Sequence, residues 1–224
     1  MQICYITLKK NKNVEYTYSN DIRKELIPCP PKSRITRQMI LDASLQTVRE
    51  EGIQALNVRS IAARLHCSTQ PIMYHFSTMQ DLKNEIYTIA NERHMNYIMN
   101  VDLETHPNPC VAIGKNYIQF AVEEPHLFRF LFQSDRFVNN RLRYVLDNDI
   151  LTPAFVNMAE KAGLSAEEAR VAYASTFFAL HGAASLMANN SLNYDAAYCD
   201  RILEAVFCGA VNYIKSGSKI AREE

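Results

Sequence analysis

No two cysteines in this sequence form a C-x-x-C pair. Cys4, Cys29, Cys67, Cys110, Cys199 and Cys208 are scattered, and the six histidines do not fall at ligand spacing beside them. Structural zinc ligands come in closely spaced pairs, so no metal site is expected, and reduced thiols in a cytoplasmic protein are the simplest reading. No stretch reaches the roughly eighteen apolar residues of a membrane span. The N-terminal run "ICYITL" is too short for a secretory signal and runs straight into "KKNKN". There is no internal repeat, no phosphate-binding glycine loop and no G-x-S-x-G. The nearest approach to a nucleophile motif, "HGAASL" around Ser185, lies inside a helical pattern and not at a strand-to-helix turn. These absences argue against an enzyme and against a bound cofactor.

Net charge is absent too, but its distribution is informative. Residues 1–30 carry five Lys/Arg against three Asp/Glu, residues 31–80 six against three, and residues 81–224 thirteen against eighteen. A basic front and an acidic back point to a polyanion met by the N-terminal part only. The hydrophobic content of 48% over 224 residues is ample for a packed core.

Residues 1–30 stand apart. "QICYITL" and "VEYTYS" flank a turn-like "KKNKN", which fits either a small hairpin or a loose extension. "PCPPKS" (28–33) then excludes helix. From Thr36 the pattern is helical. Met39, Ile40, Ala43, Thr47 and Val48 share a face, and Gly52 supplies a C-terminal stop with apolar Ile53 beyond it. Asn57 is positioned to cap a short second helix striped by Val58, Ile61, Ala62 and Leu65. His66 falls where the chain must turn sharply and suits a positive φ. Ser68 is expected to cap a third helix, with Pro71 in its first turn. On that helix Ile72 and Phe76 face inward, while Gln70 and Tyr74 lie opposite, flanked by Pro71 and His75. Two short helices joined by a tight turn, the second presenting an exposed row, make a helix-turn-helix.

The segment "ITRQMILDASLQTVREEGIQALNVRSIAARLHCSTQPIMYHFSTMQDL", Ile35 to Leu82, resembles the DNA-binding domain of the TetR/AcrR family of transcriptional regulators. The matching features are "ILDAS" running to Glu51-Gly52, "NVRSIAARL", Ser68, and Tyr74-x-Phe76 followed by Asp81-Leu82. The resemblance implies an all-α protein. A three-helix DNA-binding domain (31–82) would follow the extension (1–30) and precede a larger helical effector-binding and dimerisation domain (83–224). It implies that the third helix enters the major groove. There Thr69, Gln70 and Met73 would meet base edges, since glutamine can pair bidentately with adenine and methyl groups can meet thymine. Ser68, Tyr74 and His75 complete the contact surface, the last two at positions that hold phosphate, with Arg34, Arg37 and Arg59 as further phosphate candidates. Two departures stand out: Met79 occupies a position where many members carry a phosphate-binding lysine, and His66 replaces the commoner glycine.

Beyond Leu82, a helix at about 80–99 repeats Leu82, Ile86, Ile89, Ala90, Tyr97 and Ile98. Five more are expected at about 109–123, 125–133, 138–162 (interrupted at Pro153), 166–190 and 195–216. The body is rich in aromatics, which at helical spacing are more often core than pocket; it is the resemblance that implies a helical body enclosing a pocket for a small effector. Tyr117, Phe120, Phe128, Phe132, Phe155, Tyr173 and Phe177 are the candidates to line an effector pocket, with Arg129 and His181 as its polar groups. Small residues, among them Ala172, Gly182, Ala205 and Gly209, fit either close packing within a subunit or a helical dimer interface. The function implied is a ligand-responsive regulator, a repressor, that binds a pseudo-palindromic operator as a homodimer and leaves it when a small molecule binds. The competing reading is a helical regulator that acts through protein partners with weak or lost DNA binding, which Met79 favours.

Overall fold

The computed structural model describes residues 35–101, 109–133 and 162–216. The expected hairpin at 1–30, the linker at 28–33, Arg34, and residues 138–161 of the helix expected at 138–162, with Pro153 and Phe155, lie outside them. The described residues form eight α-helices: α1 (Arg37–Glu51), α2 (Val58–Arg64), α3 (Gln70–His75), α4 (Met79–Met99), α5 (Pro109–Glu123), α6 (Pro125–Phe132), α7 (Ala166–Ala188) and α8 (Ala196–Lys215). A 3-10 turn, Ile53–Ala55, links α1 to α2.

The helix ends follow from side-chain chemistry. The Thr36 hydroxyl accepts from the Met39 N–H and starts α1. Asn57 and Ser60 form a reciprocal capping box on α2, Thr78 and Asp81 on α4, and Ser165 and Glu168 on α7. Gly52 ends α1 at φ +86°, and its N–H donates to the Val48 carbonyl. His66, at φ +50°, makes the turn between α2 and α3. One expectation needs correcting. Hydrogen bonding begins α3 at Gln70 with Thr69 as cap, and no side chain closes that end, Ser68 included. Thr69 already has helical dihedrals, so the backbone turns in without needing the serine oxygen.

The N-terminal helices enclose a small core. Ile40, Val48, Ile61, Ile72 and Leu82 are essentially sealed, and Phe76 and Leu56 close it. Ser44 and Thr47 are also buried there. Each returns its hydroxyl to a carbonyl one turn back, Ser44 to Ile40 at 2.6 Å and Thr47 to Ala43 at 2.9 Å, so neither leaves an orphaned polar atom. Met39, expected on the inner face, points outward instead, and Leu41 takes its place.

Helix α4 runs from this core into the body, where α5 packs against both α7 and α8. The approach is close because α5 carries Gly114: a β-carbon there would sit 3.0 Å from side-chain atoms of Leu180 and Leu203. Helix α7 is long and apolar enough by length and composition to cross a membrane, which the residue-by-residue reading of apolar runs did not register. Alanines raise its mean hydropathy, and its first turn carries Glu167, Glu168 and Arg170. Its inner face packs on α5, α6 and α8. The compact unit that holds every described residue begins at Ile35.

Candidate nucleic-acid interface and effector cluster

Helix α3 is only six residues long, so its position depends on its two inner anchors. Ile72 is 1% exposed and Phe76 3%. With those fixed, the helical repeat turns Gln70, Met73 and Tyr74 outward. Tyr74 is 81% exposed, and its hydroxyl has no partner among the described residues. Its ring meets only the edge of His75, 5.3 Å away. Ser68 and Thr69 are exposed beside it. A helix of this length that leaves an aromatic side chain almost wholly in solvent gains nothing in its own stability from that side chain.

The remaining sequence candidates divide. Arg59 is exposed in the first turn of α2 and makes no ion pair among the described residues, so its guanidinium is available to an anion. Arg37 is engaged. It lies 4.7 Å over the Phe76 ring and pairs with Glu85, which ties α1 to α4. His75 is half-buried, and its Nε2 is 3.1 Å from the Ile35 carbonyl oxygen. The carbonyl can only accept, so Nε2 carries the proton and only Nδ1 is left for a ligand. Met79 packs against the core, which accounts for an apolar residue at that site.

The effector candidates fall into two places. Tyr117, Phe128, Phe132, Phe177 and His181 form one cluster from α5, α6 and α7. The Tyr117 hydroxyl and His181 Nδ1 share a hydrogen bond at 2.8 Å, and Phe177 stacks on the same imidazole with centroids 5.5 Å apart. Tyr173 extends the cluster through Phe177, and Phe120 is fully buried at its base. Burial pushes the Tyr117 hydroxyl well above the ordinary tyrosine range and lowers the pKa of His181, so both are neutral around pH 7. Arg129 is not in this cluster. It donates to the Ala188 carbonyl and, at 3.0 Å, to His126 Nδ1, and it lines a cleft of about 560 Å³ between the end of α1, the start of α4, and α6.

Three features escaped the sequence reading. His94 on α4 is 4% exposed and lies edge-on to Tyr117, Phe120 and Phe132, with centroids at 5.5, 4.9 and 5.0 Å. Neither ring nitrogen has a hydrogen-bond partner. The second feature is an ion cluster. Glu124, at the start of α6, accepts from Arg49 Nε at 2.9 Å and from Arg93 at 3.1 Å, joining α1, α4 and α6. The third is His126, whose Nδ1 lies 2.8 Å from where a β-carbon on Gly52 would stand. The spacing 82, 86, 90, 94, 98 would have revealed His94. The other two join residues far apart in sequence and left no local signal.

The chain was compared with known proteins. Residues 40–86 match the family model described as bacterial regulatory proteins of the tetR family, and residues 110–207 match the tetracyclin repressor-like C-terminal domain. A search of curated proteins finds no match. Among solved structures, the chain is similar to a TetR-like transcriptional regulator from Rhodococcus sp. RHA1, at 14% identity and TM-score 0.58, over 81% of this chain and 96% of that one. It is similar to a TetR-family protein from Vibrio parahaemolyticus described as a putative transcriptional regulator, at 18% identity and TM-score 0.54, over 79% and 96%. A TetR-family member from Streptomyces coelicolor aligns at 21% identity and TM-score 0.50, over 76% and 96%. Identities this low speak to the fold.

Proposed function

This chain belongs to the TetR family of transcriptional regulators, and from that premise we propose that it is a ligand-responsive repressor. It binds a pseudo-palindromic operator as a homodimer in the cytoplasm and releases it when a small molecule occupies the helical body. The observation that carries the reading is the outer face of α3, where Gln70, Met73 and an 81%-exposed Tyr74 make no side-chain hydrogen bond among the described residues, on a helix pinned from behind. In the proposed complex Gln70 reads a base edge, with Thr69 and Met73 beside it. Tyr74 and Arg59 hold phosphate, and Ser68 and His75 lie at the rim.

A single helix this short buries too little surface for tight specific binding, so half-sites are paired about 34 Å or a multiple apart. An apolar stripe supports the pairing. Phe178 and Leu186 on α7, and Tyr198, Ile202 and Tyr213 on α8, are each at least 39% exposed. Gly182 and Gly209 lie among them with open space where a β-carbon would point, so a partner backbone can approach. The second copy is the proposed occupant of this face.

The test is binding to the DNA flanking the protein's own gene, at several salt concentrations, with random duplex as competitor. Gln70→Ala should cost about 1–3 kcal/mol and relax specificity at one base pair. Tyr74→Phe should weaken binding to every duplex alike. The reading fails if the purified protein shows no preference for its flanking DNA over random sequence.

A further inference from the structure

His94 is a local contradiction in an otherwise consistent core. The side chains at 82, 86, 90 and 98 on the same stripe of α4 are apolar and buried, and the imidazole continues that stripe into a ring of aromatic side chains. A neutral imidazole has one N–H and one lone pair. The N–H can rest against an aromatic face. The lone pair cannot, because it needs a donor. The hydroxyl of Tyr117, the donor in the cage, is committed to His181. An apolar side chain of similar size would fill the space without leaving an acceptor unmet. Conflicts of this kind, where sequence and burial disagree, are where function is expected.

The surroundings define what could satisfy it. Tyr117, Phe120 and Phe132 present hydrocarbon on three sides. Around pH 7 the cluster has no formal charge: burial keeps His94, His181 and Tyr117 neutral, and the nearby cation Arg129 is turned into the cleft on the other side of α6. An ionised ligand would find no counter-charge there. Phe132, Phe177 and His181 are only partly buried, so the cluster is not sealed on that side.

We infer that His94 is the hydrogen-bond acceptor of a ligand site among α4, α5, α6 and α7, and that the site takes a neutral, largely aromatic or apolar molecule carrying a hydroxyl or N–H donor. This rests on the ligand-responsive reading above and adds the chemical class and the residue that recognises it. The Tyr117–His181 pair offers a second polar contact, since His181 Nε2 takes no part in the bond between them.

The experiment uses the full chain and four matched probes: naphthol, its methyl ether, naphthalene and naphthoate, titrated by fluorescence at pH 7. Naphthol should bind about tenfold or more tightly than the ether or the bare hydrocarbon, because only it carries a donor, and naphthoate should bind worst. His94→Phe and His94→Leu should both bring naphthol to the level of its ether while leaving the ether unchanged. Two variants of different shape guard against one that folds poorly. The inference is overturned if wild type binds no probe, if the three neutral probes bind alike, or if the naphthol preference survives in both variants. Operator binding is measured on the same preparation with and without naphthol. A naphthol preference that leaves DNA binding untouched keeps the His94 site and removes its effector role. DNA binding without any naphthol preference removes the site alone.

Discussion

Replacing His94 with leucine should make the protein less sensitive to acid. Burial lowers the His94 pKa to about 4, against an ordinary value of 6.5 when the chain is unfolded. Between those two values the unfolded state binds more protons than the folded state, so the free energy of unfolding rises with pH. The stability contributed by the neutral, buried imidazole is therefore fully present above about pH 6.5 and is lost as pH falls toward 4. From the two pKa values the loss between pH 7 and pH 5 is about 2 kcal/mol, and it approaches about 3 kcal/mol once both states are protonated. Leucine cannot take up a proton. Urea unfolding of wild type and His94→Leu at pH 7, 6 and 5, at one protomer concentration, isolates the effect because all other titrating groups are shared. The difference in stability should move by about 2 kcal/mol in favour of the variant on going from pH 7 to pH 5. A difference that stays constant to within about 0.5 kcal/mol would show that the imidazole is solvated or partnered in solution, and would refute the reasoning.

Glu124→Gln should cost about 1–3 kcal/mol, because Arg49 and Arg93 would then face a neutral amide across the junction of α1, α4 and α6. A double-mutant cycle with Arg49→Met should return a coupling of at least about 1 kcal/mol, and additive behaviour would rule the contact out as a tie. Gly52→Ala combines a positive φ with a β-carbon 2.8 Å from His126 Nδ1, so a loss of about 1–3 kcal/mol is expected in the urea midpoint, and a variant as stable as wild type would contradict the geometry. Phe178→Asp places a charge in the apolar stripe of α7 and α8. It should sediment as a monomer and lose tight operator binding, whereas an unchanged dimer would mean that another face mediates pairing.

Local chemistry made the N-terminal helices legible. Thr36, Gly52, Asn57 and His66 each act through their own backbone or through residues within four positions, so their effects can be read in one pass along the chain. The same holds for the starts of α5 to α7, where Pro109, Pro125 and Ser165 act at short range. Ser68 shows the limit. Residue type and position favoured a cap, but the hydroxyl is not used, because dihedrals and hydrogen bonding place the helix start at different residues. At the candidate sites the exposed row on α3 followed from helical periodicity. The destination of a long side chain did not. Arg129 could be placed near aromatics by sequence neighbourhood alone, but its guanidinium turns toward the Ala188 carbonyl, 59 residues away. Arg37, a phosphate candidate by sequence, also contacts Glu85 and Phe76, neither of them a sequence neighbour.

On the ligand-responsive reading, the magnitudes on either side of α4 are commensurate. His94 and Arg93 are adjacent on that helix, one turned into the aromatic cage and the other paired with Glu124. Glu124 in turn holds Arg49, near the end of α1, and α1 packs directly on α3. A ligand shifts a conformational equilibrium only by its difference in affinity for the two states, typically 1–3 kcal/mol. One hydrogen bond made to a previously unmet buried acceptor is worth about that much, and so is one partly buried ion pair. A ligand that donates to His94 could therefore offset the loss of the Arg93 contact without disrupting either core. If Glu124→Gln weakens this tie, the variant should respond to a smaller occupancy of the His94 site than wild type does. Operator release by naphthol at a lower concentration in Glu124→Gln is the expected result, and an unchanged release curve would place the coupling elsewhere.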